Sequence, residues 1–330
     1  MALNNESHLF IINIICYNFI KVELLNFIIK NKKISFVIIV VLVAAGAFWF
    51  WQSQKNTVEI KNSEDFEAST ELRVGIAAMI TPSEGKRYYE DLANWLAKKT
   101  DREPKLIFKK SYQEMNDAIE AKEVDIAFIC AGPYVDGKKK FGLELLVAPM
   151  VGGKTTYNSY IIAKTNSAIN KFEDLKGKTF AFTDPQSNTG ALVPTYMVTK
   201  LGKTPETFFS KLIYSGGHDA SISAVANNLV DGAAVDSLIF DYIKERRPGL
   251  VDEVKIIEES PPFGIPMIVA RPDLNQDLKS KLRSFLLSAD SDSQIKDVLA
   301  NMEIEKFTII DDSAYNSIRE MINFIETKTQ

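Results

Sequence analysis

Beyond residue 70 the chain alternates short apolar runs with longer amphipathic ones. Leu72-Arg73-Val74-Gly75-Ile76-Ala77, Leu106-Ile107-Phe108 and Val124-Asp125-Ile126-Ala127-Phe128-Ile129 read as strands, and 88–99, with Leu92, Trp95 and Leu96 on one face, and 112–121 read as helices between them. Strands and helices at this spacing predict a parallel sheet covered on both faces. Residues 157–164 form an extended run placed as a crossing strand. A second α/β unit follows, with strands at 178–182, 211–214 and 232–236 and helices at 190–201, 220–228 and 238–245. Lys255-Ile256-Ile257 leads out of it, Pro261, Pro262 and Pro266 mark the return, and Met267-Ile268-Val269-Ala270 is a strand placed to rejoin the first sheet. Helices near 278–287, 293–299 and 315–325 close the chain. The pattern predicts an α/β protein of two lobes, 71–156 plus 260–330 and 157–259, joined by two crossings. Ligand sites in such sheets lie in the crevice at the carboxyl ends of the strands.

The first 55 residues are different. Residues 34–51 are a continuous apolar run, preceded by Lys30, Lys32 and Lys33 and ending in Phe48-Trp49-Phe50-Trp51, which fits membrane insertion. Ala45-Gly46-Ala47 offers small residues at which a signal peptidase could cut, so the segment reads equally as a cleaved signal or an anchor. Residues 9–29 are also apolar but are interrupted by Lys21 and Glu23. The polar stretch at 56–70 reads as a tether. Either reading of the N-terminus places the body in the periplasm or at the cell exterior. No cysteine directly follows the run, so no lipoprotein anchor is expected.

Composition narrows the function. The 330 residues, 46% hydrophobic and 25% charged, are enough for two domains, and a net charge of −4 without a basic stripe argues against nucleic-acid binding. The two cysteines, Cys16 and Cys130, form no disulfide framework within the body, and Cys130 ends an apolar strand as a small core residue would. The two histidines, His8 and His218, belong to no Cys/His cluster, so neither metal nor other cofactor is expected.

The candidate chemistry gathers at strand ends. Thr183-Asp184-Pro185-Gln186-Ser187-Asn188-Thr189-Gly190 joins a strand to a helix. A helix start presents unpaired N–H groups and the positive end of its dipole, so Ser187 to Gly190 can cradle an oxyanion without a lysine or arginine, or serve as an ordinary N-cap. Gly216-Gly217-His218-Asp219 is a second such junction: His218 is either a ligand donor or a satisfied helix-start residue, and Asp219 suits the first turn of a helix. Asp236 ends an apolar strand and needs a partner, which the acidic proton of a singly protonated oxyanion would supply while sulfate would be disfavoured. Tyr112 and Tyr157 are core residues or cleft walls carrying a hydroxyl. No nucleophile elbow, metal set or paired general acid supports catalysis by His218 with Asp219 or Asp236.

From Leu72 to Ile325 the chain resembles the phosphonate, phosphite and phosphate substrate-binding proteins of ABC transporters, the PhnD-like group of type II periplasmic binding proteins. The resemblance rests on Val124-Asp125-Ile126-Ala127, on the run from Asp174 to Phe182, on DPQSNTGALVP from Asp184 to Pro194, on Gly216 to Ser221 with Ala224-Val225-Ala226, and on Gly232 to Ser237. It implies a two-lobed fold that closes on a small phosphorus oxyanion, acts as a monomer and delivers the ligand to a membrane permease. A membrane-tethered sensor of the same fold is the alternative. Ser187, Asn188 and Thr189 match the family's hydroxyl-rich cradle, His218 its histidine donor, and Tyr112 and Tyr157 its two cleft tyrosines. Asn188 stands where a threonine is commoner and Thr189 where a serine is. At the positions where aminoethylphosphonate binders carry acids for the ligand's ammonium, this chain has Leu238 and Ile265. The resemblance therefore implies phosphite, methylphosphonate or phosphate over aminoethylphosphonate.

Overall fold

The computed structural model describes residues 70–79 and 82–329. The hydrophobic segment at 1–55, with His8 and Cys16, and nearly all of the polar tether at 56–70 lie outside the described residues. No described helix is long and apolar enough to cross a membrane.

The elements follow one another as β1 (Glu71–Ile76), α1 (Pro82–Lys99), β2 (Glu103–Phe108), α2 (Tyr112–Glu120), β3 (Ile126–Ile129), α3 (Ala131–Phe141), β4 (Glu144–Met150), β5 (Thr156–Tyr157) and β6 (Ser159–Lys164). Then come β7 (Thr179–Phe182), a π-helical turn (Asn188–Leu192) continued by α4 (Val193–Lys200), β8 (Lys211–Tyr214), α5 (His218–Ala226), β9 (Gly232–Asp236) and α6 (Ser237–Arg246). The chain ends through β10 (Val254–Glu259), β11 (Phe263–Gly264), β12 (Met267–Ala270), α7 (Gln276–Leu287), α8 (Lys296–Asn301), β13 (Lys306–Thr308) and α9 (Asn316–Thr329).

Two sheets organise these elements. The first has the order β13-β4-β12-β3-β1-β2, the second β10-β6-β9-β7-β8, and β5 pairs with β11 in a two-stranded ribbon where the chain passes between them. Strands in the middle of each sheet are continuous apolar runs because both faces are covered: β3, β9 and β12 are buried throughout. The edge strand β2 instead carries Glu103, Pro104 and Lys105, all exposed, which discourages further pairing. The second sheet packs on an aromatic cluster in which Phe180 stacks on Phe209 at 4.4 Å and Phe172 on Phe208 at 5.4 Å.

The expectation of parallel sheets needs correcting. β1 runs parallel to β2 and β3, and β7 to β8 and β9, but β12 is antiparallel to β3 and β4, and β6 is antiparallel to β9 and β10. A strand that enters a sheet straight from a crossing, without a helix to turn it round, arrives in the opposite direction. Four of these elements had no sequence expectation: α3, β4, β11 and β13. Gly132, Pro133 and Gly137 disguise α3, yet Pro133 falls in the first turn, where its missing N–H costs nothing, and Gly142 closes the helix at φ 78°. The helix expected at 190–201 opens two residues earlier, and its first turn is a wider π-turn.

Arg73 and Arg271 converge on buried Asp125 at the amino end of β3, with Arg73 Nη2 at 2.6 Å and Arg271 Nε at 3.2 Å from Oδ1. The pair ties β1, β3 and β12 together at the end away from the strand termini where the site forms. Val124-Asp125-Ile126-Ala127 is therefore a structural motif here.

Candidate functional site

Five helix starts meet at the carboxyl ends of the strands. They are those of α2 (N-cap Ser111), α3 (N-cap Cys130), the π-turn (N-cap Ser187), α5 (N-cap Gly217) and α6 (N-cap Asp236). Each brings orphan N–H groups and the positive end of a dipole, so together they favour an anion without a nearby basic side chain. The residues between them, Tyr112, Cys130, Tyr157, Ser159, Ser187, Asn188, Thr189 and His218, are essentially inaccessible to solvent.

His218 is the best defined of the expected site residues. The backbone N–H of Asp236 donates to its Nδ1 at 3.0 Å, and Thr183 Oγ1 lies 3.1 Å from the same nitrogen. An Nδ1 that accepts cannot carry the ring proton, so the proton sits on Nε2, which is buried and has no partner in the protein. Burial lowers the imidazole to about 3, which keeps it neutral near pH 7. His218 thus offers a neutral N–H donor rather than a cation.

Two more buried hydroxyls lack partners: Tyr112 Oη and Thr189 Oγ1. Ser159 Oγ donates to the Thr189 carbonyl at 2.7 Å and so holds the Thr189 backbone in place. Tyr157 differs, because its hydroxyl accepts from Asn188 Nδ2 at 3.1 Å and lies 3.5 Å from Cys130 Sγ. Burial pushes both tyrosines well above the ordinary phenol range, so both remain protonated donors. It also raises the Cys130 thiol, which is therefore a poor nucleophile.

The π-turn presents fewer amides than its sequence suggests. Gly190 N–H donates to Ser187 Oγ at 3.0 Å, so this cap bond already occupies one of the expected donors. Gly190 is a glycine for a packing reason, since a Cβ there would come within 2.4 Å of Thr183 Oγ1. Thr189, the second residue of the turn, has no acceptor within the helix for its own N–H.

Asp236 caps α6, with Oδ1 accepting from Leu238 N–H at 2.8 Å and Ile239 N–H at 3.4 Å. Desolvation nevertheless raises it to about 7, against the lowering effect of these two bonds. Asp184 lies nearby, and its Oδ2 accepts the Tyr112 N–H at 3.1 Å and its Oδ1 the Gln186 N–H at 2.8 Å. Asp219 is buried in the first turn of α5. Leu238 is half-buried beside Asp236, and Ile265 is fully buried, its carbonyl accepting from Tyr315 Oη at 2.9 Å.

Several bonds join the elements of the first sheet to those of the second across the site. Besides Tyr112 to Asp184, Gln186 Nε2 reaches Gln113 Oε1 at 2.6 Å and Asp136 Oδ2 at 3.2 Å, and His218 N–H donates to the Met79 carbonyl at 3.2 Å. The sequence offered no reason to single out Met79, Ser159 or Gly132, whose parts depend on register and packing. Thr183 and Asp184 lay in the stretch that attracted attention, but their roles as partners of His218 and Tyr112 became visible only in three dimensions.

Two α/β sheets joined by a two-stranded crossing, with buried donors ringed by helix starts, are the architecture of a ligand-capturing binding protein. A family model described as "ABC transporter, phosphonate, periplasmic substrate-binding protein" matches residues 74–315, and the chain belongs to this family. It is 26% identical over 292 residues to the phosphonates-binding periplasmic protein of Escherichia coli (strain K12), covering 86% of this chain and 85% of the relative. It is 27% identical over 216 residues to the phosphate-import protein PhnD of Mycolicibacterium smegmatis, covering 61% of this chain and 66% of that one. A solved binding-protein component of an ABC phosphonate transporter from Pseudomonas aeruginosa shares the fold at a TM-score of 0.74 and 26% identity, over 78% of this chain and 87% of that one.

Proposed function

We propose that the protein captures a small phosphorus oxyanion, a phosphonate, phosphite or phosphate-like ligand, outside the cytoplasm and hands it to an ABC permease as a monomer, without chemical change. The observation that carries this reading is the set of three buried donors without protein partners, Tyr112 Oη, Thr189 Oγ1 and His218 Nε2, inside a ring of helix starts. An anion accepting all three would satisfy them together. Tyr157, Ser187, Asn188 and Gly190 then shape the cradle, and Asp236 shares one proton with the ligand, which disfavours sulfate. Lobes at 71–156 plus 260–330 and 157–259 close on the ligand about the crossings at Tyr157 and Phe263.

Isothermal titration of the purified full-length protein with phosphite, methylphosphonate, phosphate and sulfate tests the reading. Thr189→Ala and His218→Gln should each weaken binding by about tenfold to a hundredfold, the cost of losing a bond to a charged oxygen at about 1.5–3 kcal/mol. Asp219→Asn should leave affinity unchanged. Equal losses in all three variants would overturn the assignment of donors, and heat evolved by none of the phosphorus ligands would overturn the function.

A further inference from the structure

Beside the cradle lies a chamber of about 130 Å³, far more than the roughly 10–15 Å³ that one water requires. Its walls are apolar, with Met79, Tyr89, Phe128, Val151, Leu238 and Met302 among them, and Asp236 also lines it. Two residues belong to both spaces. The Asp236 N–H bonds His218 Nδ1 while Asp236 also lines the chamber, and the Met79 carbonyl accepts the His218 N–H while Met79 forms part of the chamber wall. The other acid on the wall, Glu303, is already paired with Arg246 at 2.9 Å, and that guanidinium lies 3.6 Å over the Tyr242 ring.

We propose that the chamber receives the carbon substituent of the captured oxyanion, and that the preferred ligand is an organophosphonate with an uncharged, apolar substituent of propyl to phenyl size. The inference rests on the oxyanion reading above. Phosphite, phosphate and methylphosphonate leave the apolar wall unused. A longer substituent takes apolar surface out of water on both sides, and each buried methylene is worth about fourfold in affinity. An ammonium group at its far end gains less, because Arg246 already neutralises Glu303 and Asp236 is engaged with the oxyanion at the near end.

The test is calorimetric titration of the full-length protein with phosphite and with methyl-, butyl-, phenyl- and aminobutylphosphonate, repeated on the chamber-filling variants Val151→Phe and Met302→Phe. Butyl- and phenylphosphonate should bind at least about tenfold tighter than methylphosphonate, and aminobutylphosphonate more weakly than butylphosphonate. In the two variants the gain over methylphosphonate should vanish while methylphosphonate itself still binds. Methylphosphonate or phosphite equalling butylphosphonate in the unmodified protein would overturn the chamber assignment and leave the oxyanion reading standing. Tight aminobutylphosphonate binding would overturn the uncharged-substituent claim. Silence across the whole series would mean that the oxyanion reading itself is wrong, and the chamber assignment with it.

Discussion

Replacing Gly132 by alanine is expected to abolish tight binding without touching the ligand. Gly132 sits in the first turn of α3, directly against the chain that leads into the π-turn, and a Cβ on it would lie 2.0 Å from the Gln186 carbonyl oxygen and 3.1 Å from the Asn188 nitrogen. Both are backbone atoms, so no side-chain rotation relieves the overlap. The two halves of the site must then part, which breaks the Tyr112 to Asp184 and Gln186 to Asp136 bonds and withdraws Tyr112 Oη from the donors contributed by the second sheet. A ligand held by one half alone loses a charged hydrogen bond and its shelter from water. Affinity should fall by roughly a hundredfold to a thousandfold. Small-angle scattering should show that the variant stays expanded when saturating ligand compacts the unmodified protein, while thermal melting of the ligand-free forms coincides. Unchanged affinity and compaction would show that capture does not need this approach of α3 to the π-turn.

Asp236→Asn is expected to stabilise the ligand-free protein at pH 8, by up to about 4 kcal/mol at 1.36 kcal/mol per pKa unit, and to lose that advantage as the pH falls towards 4. The folded-state value of about 7 lies above the ordinary 3.8, so between these limits the folded protein holds a proton that the unfolded chain has released. Stability derived from Asp236 therefore falls as pH rises through this window and is constant above it. His218 acts in the opposite sense. Its folded value of about 3 lies below 6.5, so the unfolded chain binds the extra proton and stability rises with pH over that range. The two slopes offset each other in the unmodified protein between about pH 4 and 6.5. Removing Asp236 leaves the His218 slope alone, and the amide oxygen of asparagine can still cap α6. Thermal melts at pH 4.5, 6 and 8 check this. A variant less stable than the unmodified protein at pH 8 would mean that the capping charge outweighs the cost of burying it.

What the sequence determined by itself was local. Alternating apolar runs and amphipathic segments placed most strands and helices, because the period of burial is written into each segment. A side chain able to cap a helix start marked Ser187, and the end of an apolar strand marked Asp236 as needing a partner; both cap helices in the structure. Elements whose composition contradicts their conformation stayed hidden. α3, with its two glycines and a proline, is held by its place between β3 and β4, and the direction of β6 and β12 follows from how the crossings enter the sheets.

Only the tertiary structure decided which polar groups of the site are available. Ser187 and Gly190 both looked like donors, yet they are bonded to each other, whereas Tyr112, Thr189 and His218 each keep a polar atom without a partner. The proton on His218 Nε2 is set by the Asp236 N–H, eighteen positions along the chain, and the need for glycine at 132 is set by a carbonyl fifty-four positions away. The apolar chamber likewise draws its wall from α1, β3, β12 and α6 at once. A hydrogen bond or a steric contact between distant residues depends on the register and packing of whole sheets, and periodicity along one segment carries no record of either.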